Sequence, residues 1–128
     1  MEGLGLHILM EFHGCSFEKL NDLPSLEEMM NDAARASNAT IIKSVFHQFS
    51  PQGVTGVIVV AESHLAIHTW PENGYAAVDF FTCNVEMDYV KTYDLIALNL
   101  ASANHSYQCV KRGLLPNNVI GKHELSTY

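Results

Sequence analysis

The sequence predicts an α+β fold: a two-layer α/β sandwich, with a mostly antiparallel sheet and two helices on one face. Three observations predict it. Apolar residues alternate with period two in run after run of strand length. Two longer stretches, 25–38 and 86–104, follow a helical period instead. The runs come in the order β-α-β-β-β-β-α-β, and 128 residues give room for a single domain spanning 1–128.

Taken in order, "GLHILMEFHG" (5–14) is the first strand, with Leu6, Ile8, Met10 and Phe12 alternating with His7, Leu9, Glu11 and His13. "SFEKLNDLP" is a turn-rich approach to the first helix. There Ser25 and Glu28 have capping-box spacing, and Leu26, Met29, Met30, Ala33 and Ser37 keep one face. Asn38 suits a left-handed stop. "TIIKSVFHQF" (40–49) is a β-branched second strand, and "SPQGVTG" a connection. "VTGVIVVAE" and "LAIHTW" are the third and fourth strands, with Glu62, Ser63 and His64 between or within them. "YAAVDFFTC" (75–83) is the fifth. A second helix over 86–104 presents Val90, Tyr93, Ala97, Leu100 and Ala101, and "SYQCVKR" (106–112) is the last strand. The tail 114–128 carries no assignable pattern.

Val57 to Val60 and much of Tyr75 to Phe81 are apolar on both faces, yet two helices cover only one. The other face needs its own cover, which predicts a homodimer with sheet facing sheet. A formal net charge of −7 argues against a nucleic-acid partner, whose phosphates demand a basic surface. No apolar run reaches membrane-spanning length, and Met1 to Gly5 does not read as a signal peptide. Three cysteines (Cys15, Cys83 and Cys109) cannot all pair within one chain, so a reduced, cytoplasmic protein is expected. The histidines show no Cys-x-x-Cys or His-Glu-x-x-His grouping. His64 and His68, four apart on a strand, stand roughly 13 Å from each other, so no metal is expected.

The feature that resists a packing explanation is "AESHLAIHTW" (61–70), where a carboxylate, a hydroxyl and two imidazoles interrupt a core strand. Ser63, His68 and Cys83 could make a serine- or cysteine-based site, although no Gly-x-Ser-x-Gly elbow surrounds the serine. Each alone also has a plain reading: a turn serine, a core histidine, a packed thiol. Jointly they say more. His64, Ala66, His68 and Trp70 share one strand face, Phe49 ends the strand before a turn, and Glu72 follows the Trp70-Pro71 bend. Rings beside a carboxylate suit a ligand that is aromatic, hydroxylated and cationic.

"ESHLAIHTWPE" closely resembles the self-cleavage segment of the small prokaryotic S-adenosylmethionine decarboxylases, pyruvoyl-dependent enzymes of spermidine synthesis. "GLHILMEFHGC", "FHQFSPQGVTGV", "GYAAVDFFTC" and the "KRG" at 111–113 extend the resemblance over residues 5 to 113. The resemblance implies that Ser63 attacks the carbonyl of Glu62, turning amide into ester. β-Elimination then cuts the chain into a 1–62 β chain and a 63–128 α chain that begins with a pyruvoyl group. It implies that His68 and the hydroxyl of Thr55 assist the cut, Thr55 standing where many relatives have serine. The pyruvoyl carbonyl would form a Schiff base with the amine of S-adenosylmethionine and act as electron sink for decarboxylation. By the same resemblance Cys83 returns the proton, Phe49 stacks on adenine, Trp70 adds a second aromatic wall and Glu72 binds the ribose, at a homodimer interface. Two alternatives stay open at this point. One is an arginine or ornithine decarboxylase on the same scaffold; the other is an unprocessed, inactive regulatory homologue. His64 has no assigned role.

Overall fold

The computed structural model describes residues 3–84 and 86–115, so most of the tail left unassigned above, 116–128, lies outside the described residues. Its elements are β1 (Gly5–His13), α1 (Phe17–Leu20), α2 (Leu23–Ala36), β2 (Ile41–Gln48), β3 (Val54–Val60), β4 (Ser63–Trp70), a 3₁₀ turn (Pro71–Asn73), β5 (Tyr75–Thr82), α3 (Tyr89–Asn99) and β6 (Asn104–Arg112). The strands form one sheet in the order β2-β3-β4-β5-β1-β6. Every neighbouring pair is antiparallel.

Period-two alternation decides which face is which. Ile8, Met10, Phe12, Ile58, Leu65, Ile67, Val78 and Phe80 point to one side and are buried. There they meet Leu26 and Met30 of α2 and Ile96 of α3 in a single core cluster. Each such side chain stabilises the fold by about 1.5–3 kcal/mol. The opposite face has no cover among the described residues. Val45, Val59, Trp70 and Val110 stand on it with 56%, 42%, 42% and 39% of their surface exposed.

The helices depart from the sequence reading in three ways. The four residues of α1 form a helix, capped by Ser16, where a turn-rich approach was expected. The second, α2, starts at Leu23 with Asp22 as its cap. That carboxylate accepts from the Ser25 N–H, so Ser25 is spent inside the first turn rather than capping it. The third, α3, covers Tyr89–Asn99 rather than 86–104, because Asp88 caps its start and Ala101 turns left-handed at φ 51° beyond its end. Its buried side chains are Thr92, Ile96 and Ala97, and Val90 is exposed. Thr92 is tolerated there because its hydroxyl donates to the Ala33 carbonyl of α2 at 2.7 Å. Asn38 does take the left-handed conformation, at φ 72°.

One close approach in the sheet requires glycine. Gly56 of β3 lies opposite Phe46 of β2, and a Cβ at Gly56 would run into the Phe46 ring. Gly56→Ala should therefore lower stability in chemical denaturation by about 1–3 kcal/mol, the usual cost of overpacking. An unchanged midpoint would show that the ring moves aside freely.

Candidate active site

The third and fourth strands are joined by a two-residue turn, Ala61–Glu62, since Val60 pairs directly with Ser63. Ser63 has φ 155°, a region that glycine occupies readily and other residues rarely. The turn is fastened at one end by the Ala61 N–H, which donates to the Thr40 carbonyl at 2.8 Å. At the other end stands Cys83, just past β5, whose Thr82 is the register partner of Ser63. The Cys83 N–H and the Cys83 Sγ both donate to the Glu62 carbonyl oxygen, each at 3.2 Å. Two donors on that oxygen stabilise negative charge there, as an oxyanion hole does, on the carbonyl next to the Ser63 hydroxyl. One oxygen of the Glu62 side chain, Oε1, is buried without a hydrogen-bond partner among the described residues, an added cost of the uncut turn.

A second group of side chains gathers at the far end of β4. His68 Nδ1 lies 3.2 Å from the hydroxyl of Thr55, its direct partner across β3. The His68 ring tilts toward Trp70 at 6.5 Å, and Trp70 stacks on Tyr75 at 5.3 Å. The Tyr75 hydroxyl donates to Glu11 Oε1 at 2.7 Å. Burial, and then the Glu11 carboxylate, pushes that hydroxyl up to about 12, so it remains a donor at any ordinary pH. Phe49, just beyond β2, meets His47 edge-on at 4.6 Å and is 47% exposed. Glu72 is exposed on the 3₁₀ turn.

The site residues named from the sequence thus fall into two clusters within one chain. Glu62, Ser63 and Cys83 form the first; Thr55, His68 and Trp70 form the second, with Phe49 beyond the end of β2 and Glu72 on the 3₁₀ turn after β4. At about 3.3–3.4 Å per strand residue, Ser63 and His68 are roughly 17 Å apart, and Ser63 and Trp70 roughly 23 Å. A base must stand within hydrogen-bond reach of the proton it takes. His68 therefore lies out of reach of the Ser63 of its own chain, although the sequence places them only five positions apart. One open depression of about 550 Å³ on the uncovered face joins the two ends, lined among others by Ser63, His64, Ala66 and His68.

Two residues of that depression were not singled out from the sequence. His7 Nε2 lies 3.2 Å from Asp79 Oδ1, and both line it. The signal was there: Asp79 is a lone carboxylate in an apolar strand, and alternation puts it and His7 on the uncovered side. His64 stacks on Phe81 with ring centroids 5.9 Å apart, which gives that imidazole a packing partner. No three His, Cys, Asp or Glu side chains among the described residues are grouped to hold a metal ion. No helix among them is long and apolar enough to cross a membrane.

Comparison with known proteins bears on this geometry. The sequence profile of a family described as S-adenosylmethionine decarboxylase matches residues 6–113. The S-adenosylmethionine decarboxylase proenzyme of Syntrophomonas wolfei is 49% identical over 115 residues, covering 90% of this chain and 91% of that protein. That of Pelotomaculum thermopropionicum is 45% identical over 120 residues, covering 94% and 95%. Among solved structures, the adenosylmethionine decarboxylase of Aquifex aeolicus superposes with a TM-score of 0.82 at 35% identity, covering 94% of this chain and 99% of that one.

Proposed function

The chain belongs to the S-adenosylmethionine decarboxylase family, and from that premise we propose how its residues perform the reaction. The chain is made as a proenzyme, cuts itself between Glu62 and Ser63, and then removes the carboxyl group of S-adenosylmethionine as carbon dioxide. The observation that carries this reading is the Glu62 carbonyl, held by two Cys83 donors beside a serine at φ 155°.

That arrangement suits an N-to-O acyl shift. The Ser63 oxygen bonds to the Glu62 carbonyl carbon, and Cys83 steadies the charge that develops on the oxygen. Collapse breaks the C–N bond, leaving an ester and a free amine at Ser63. Loss of the Ser63 α-proton then expels the Glu62 carboxylate. The dehydroalanine so formed takes a proton on its CH2 carbon and becomes an imine; water replaces the imine nitrogen, which departs as ammonia, and residue 63 is left as a pyruvoyl group. The turn favours the cut because opening it releases the unusual φ and the enclosed Glu62 oxygen.

The residues present fit the pyruvoyl group: Ser63 can generate it at the rim of the depression, and Cys83 lies against the bond to be cut. When formed, the group supplies an electron-poor carbonyl that takes the substrate amine and accepts the electrons released with carbon dioxide. Cys83, freed from the Glu62 oxygen, delivers a proton to the substrate carbon. Phe49 and Trp70 stack on the adenine, and Glu72 accepts from the ribose hydroxyls. Cys83→Ala is expected to cut more slowly and, once cut, to lose 10²–10⁴-fold in kcat, the range for a positioned acid. Stopped-flow product analysis on the processed variant checks this, and full activity would move the proton donor elsewhere.

The roughly 17 Å between Ser63 and His68 makes the active form a dimer. Two copies stacked through their uncovered faces about a two-fold axis bring the His68 end of one chain over the Ser63 end of the other. Exposed Val45, Val59, Trp70 and Val110 are buried in the process. The substrate assay tests the reading as a whole. Purified protein releases labelled carbon dioxide from carboxyl-labelled S-adenosylmethionine, and activity confined to arginine or ornithine would refute it.

A further inference from the structure

Leu20 and Asn21 end the short helix α1 and bring no reactive chemistry, yet the segments bearing Phe49, Thr55 and Trp70 converge on them. The Asn21 Oδ1 accepts from Gln48 Nε2 at 2.8 Å and from the Gly53 N–H at 2.9 Å. Gln48 Nε2 also reaches the Gly53 carbonyl at 3.1 Å, and the Phe49 N–H donates to that carbonyl at 2.8 Å. The 49–53 loop is thus closed on itself, and both its shoulders hang from one amide oxygen. One residue earlier, the Leu20 carbonyl accepts from Thr69 Oγ1 at 2.8 Å. The same hydroxyl accepts from the Val54 N–H at 2.9 Å. Thr69, only 7% exposed, lies between His68 and Trp70, and Val54 precedes Thr55.

Phe49 needs such support. Its ring is 47% exposed, meets the edge of His47 and, among the described residues, is not one of those packed against the core cluster, so the apolar core does not fix its height. A ring on a loose loop must be ordered at each binding event, and that ordering subtracts from affinity. Both acceptor positions of the Asn21 carbonyl are used in holding the loop. Gly53, at φ 109°, allows the turn that puts its N–H in reach.

We infer that Asn21 is a positioning residue for substrate binding, holding the 49–53 loop so that Phe49 is set in advance for the nucleobase. The inference rests on the reading of Phe49 as the stacking ring. Its chemistry is a side-chain acceptor at residue 21, which aspartate also supplies and alanine does not.

The test is steady-state kinetics with S-adenosylmethionine on the processed enzyme. Asn21→Ala raises KM roughly five-fold, the share of one or two net hydrogen bonds, with kcat within about two-fold of the parent. Asn21→Asp returns most of the lost affinity. The extent of cutting at Glu62–Ser63 does not change, because the segments beside Thr55 and His68 are held by the Thr69 hydroxyl and the Leu20 carbonyl, which Asn21→Ala leaves in place. Because Asn21 acts through Phe49, the pair Asn21→Ala/Phe49→Ala has the KM of Phe49→Ala alone. A raised KM for Phe49→Ala with an unchanged one for Asn21→Ala overturns the inference and leaves Phe49 in place. So does full additivity of the two, which a merely structural loss would give. An unchanged KM for Phe49→Ala overturns the stacking role and this inference with it.

Discussion

Ser63→Ala yields one uncut chain of 128 residues that folds, dimerises and decarboxylates nothing. In the proposed cut the side-chain oxygen is the atom that takes the Glu62 carbonyl carbon, and the methyl group left behind is inert. The Cys83 donors still hold the Glu62 oxygen in this variant, so the site is poised but has no nucleophile. Without the cut there is no electron-poor carbonyl, and the fall in turnover is of the order of a million-fold, as when a covalent catalyst loses its nucleophile. Denaturing electrophoresis with a carbon dioxide assay reads both outcomes at once. A cleaved Ser63→Ala chain would mean that the bond is broken by an outside hydrolase or by a different residue.

The second large effect follows from the proposed division of the site between two chains. His68→Ala alone is expected to cut slowly, by roughly 10²–10⁴-fold if His68 transfers protons in the cut. Its own Ser63 and Cys83 are intact; what it lacks is the imidazole contributed by its neighbour. Co-expression with Ser63→Ala supplies that imidazole, because the Ser63→Ala chain keeps its His68. In the mixed dimer the His68→Ala chain is therefore cut and the Ser63→Ala chain is not. Differently tagged subunits make the two products distinguishable on one gel. If mixing leaves the His68→Ala chain as slow as before, the two clusters do not exchange between chains. If the His68→Ala homodimer is cut at the parent rate, a nearer group such as His64 supports the reaction instead.

Much of this architecture was legible before any coordinates, and the reasons are physical. Alternation in "GLHILMEFHG" fixes the buried face of a strand whatever its neighbours do, so Ile8, Met10 and Phe12 were readable as core, whereas "YAAVDFFTC", apolar on both faces, left the choice of Val78 and Phe80 to the packing of the helices. Helix ends were read less well, because several side chains compete for each cap. Asp22 won over Ser25 by being placed ahead of Pro24, which suits the first turn of a helix and donates nothing. The four residues of α1 are too few to show a period at all. The candidate residues themselves stood out from their types and order, but their distribution did not. Five positions look close in a sequence and are roughly 17 Å in a strand, so the order of Ser63 and His68 does not by itself show that they stand apart within one chain. Conversely, Cys83 reaches the Glu62 carbonyl only because the register of β4 on β5 sets Ser63 opposite Thr82. Register of that kind follows from the whole sheet, and so do the His7–Asp79 pair and the loop held by Asn21.

The intact mass of the purified protein tests the central claim most directly. Self-processing predicts two species: residues 1–62 ending in a free carboxylate, and a chain from residue 63 lighter by one ammonia than its serine form. A single mass near 14.2 kDa after prolonged incubation would contradict it, as would two fragments whose second still begins with serine.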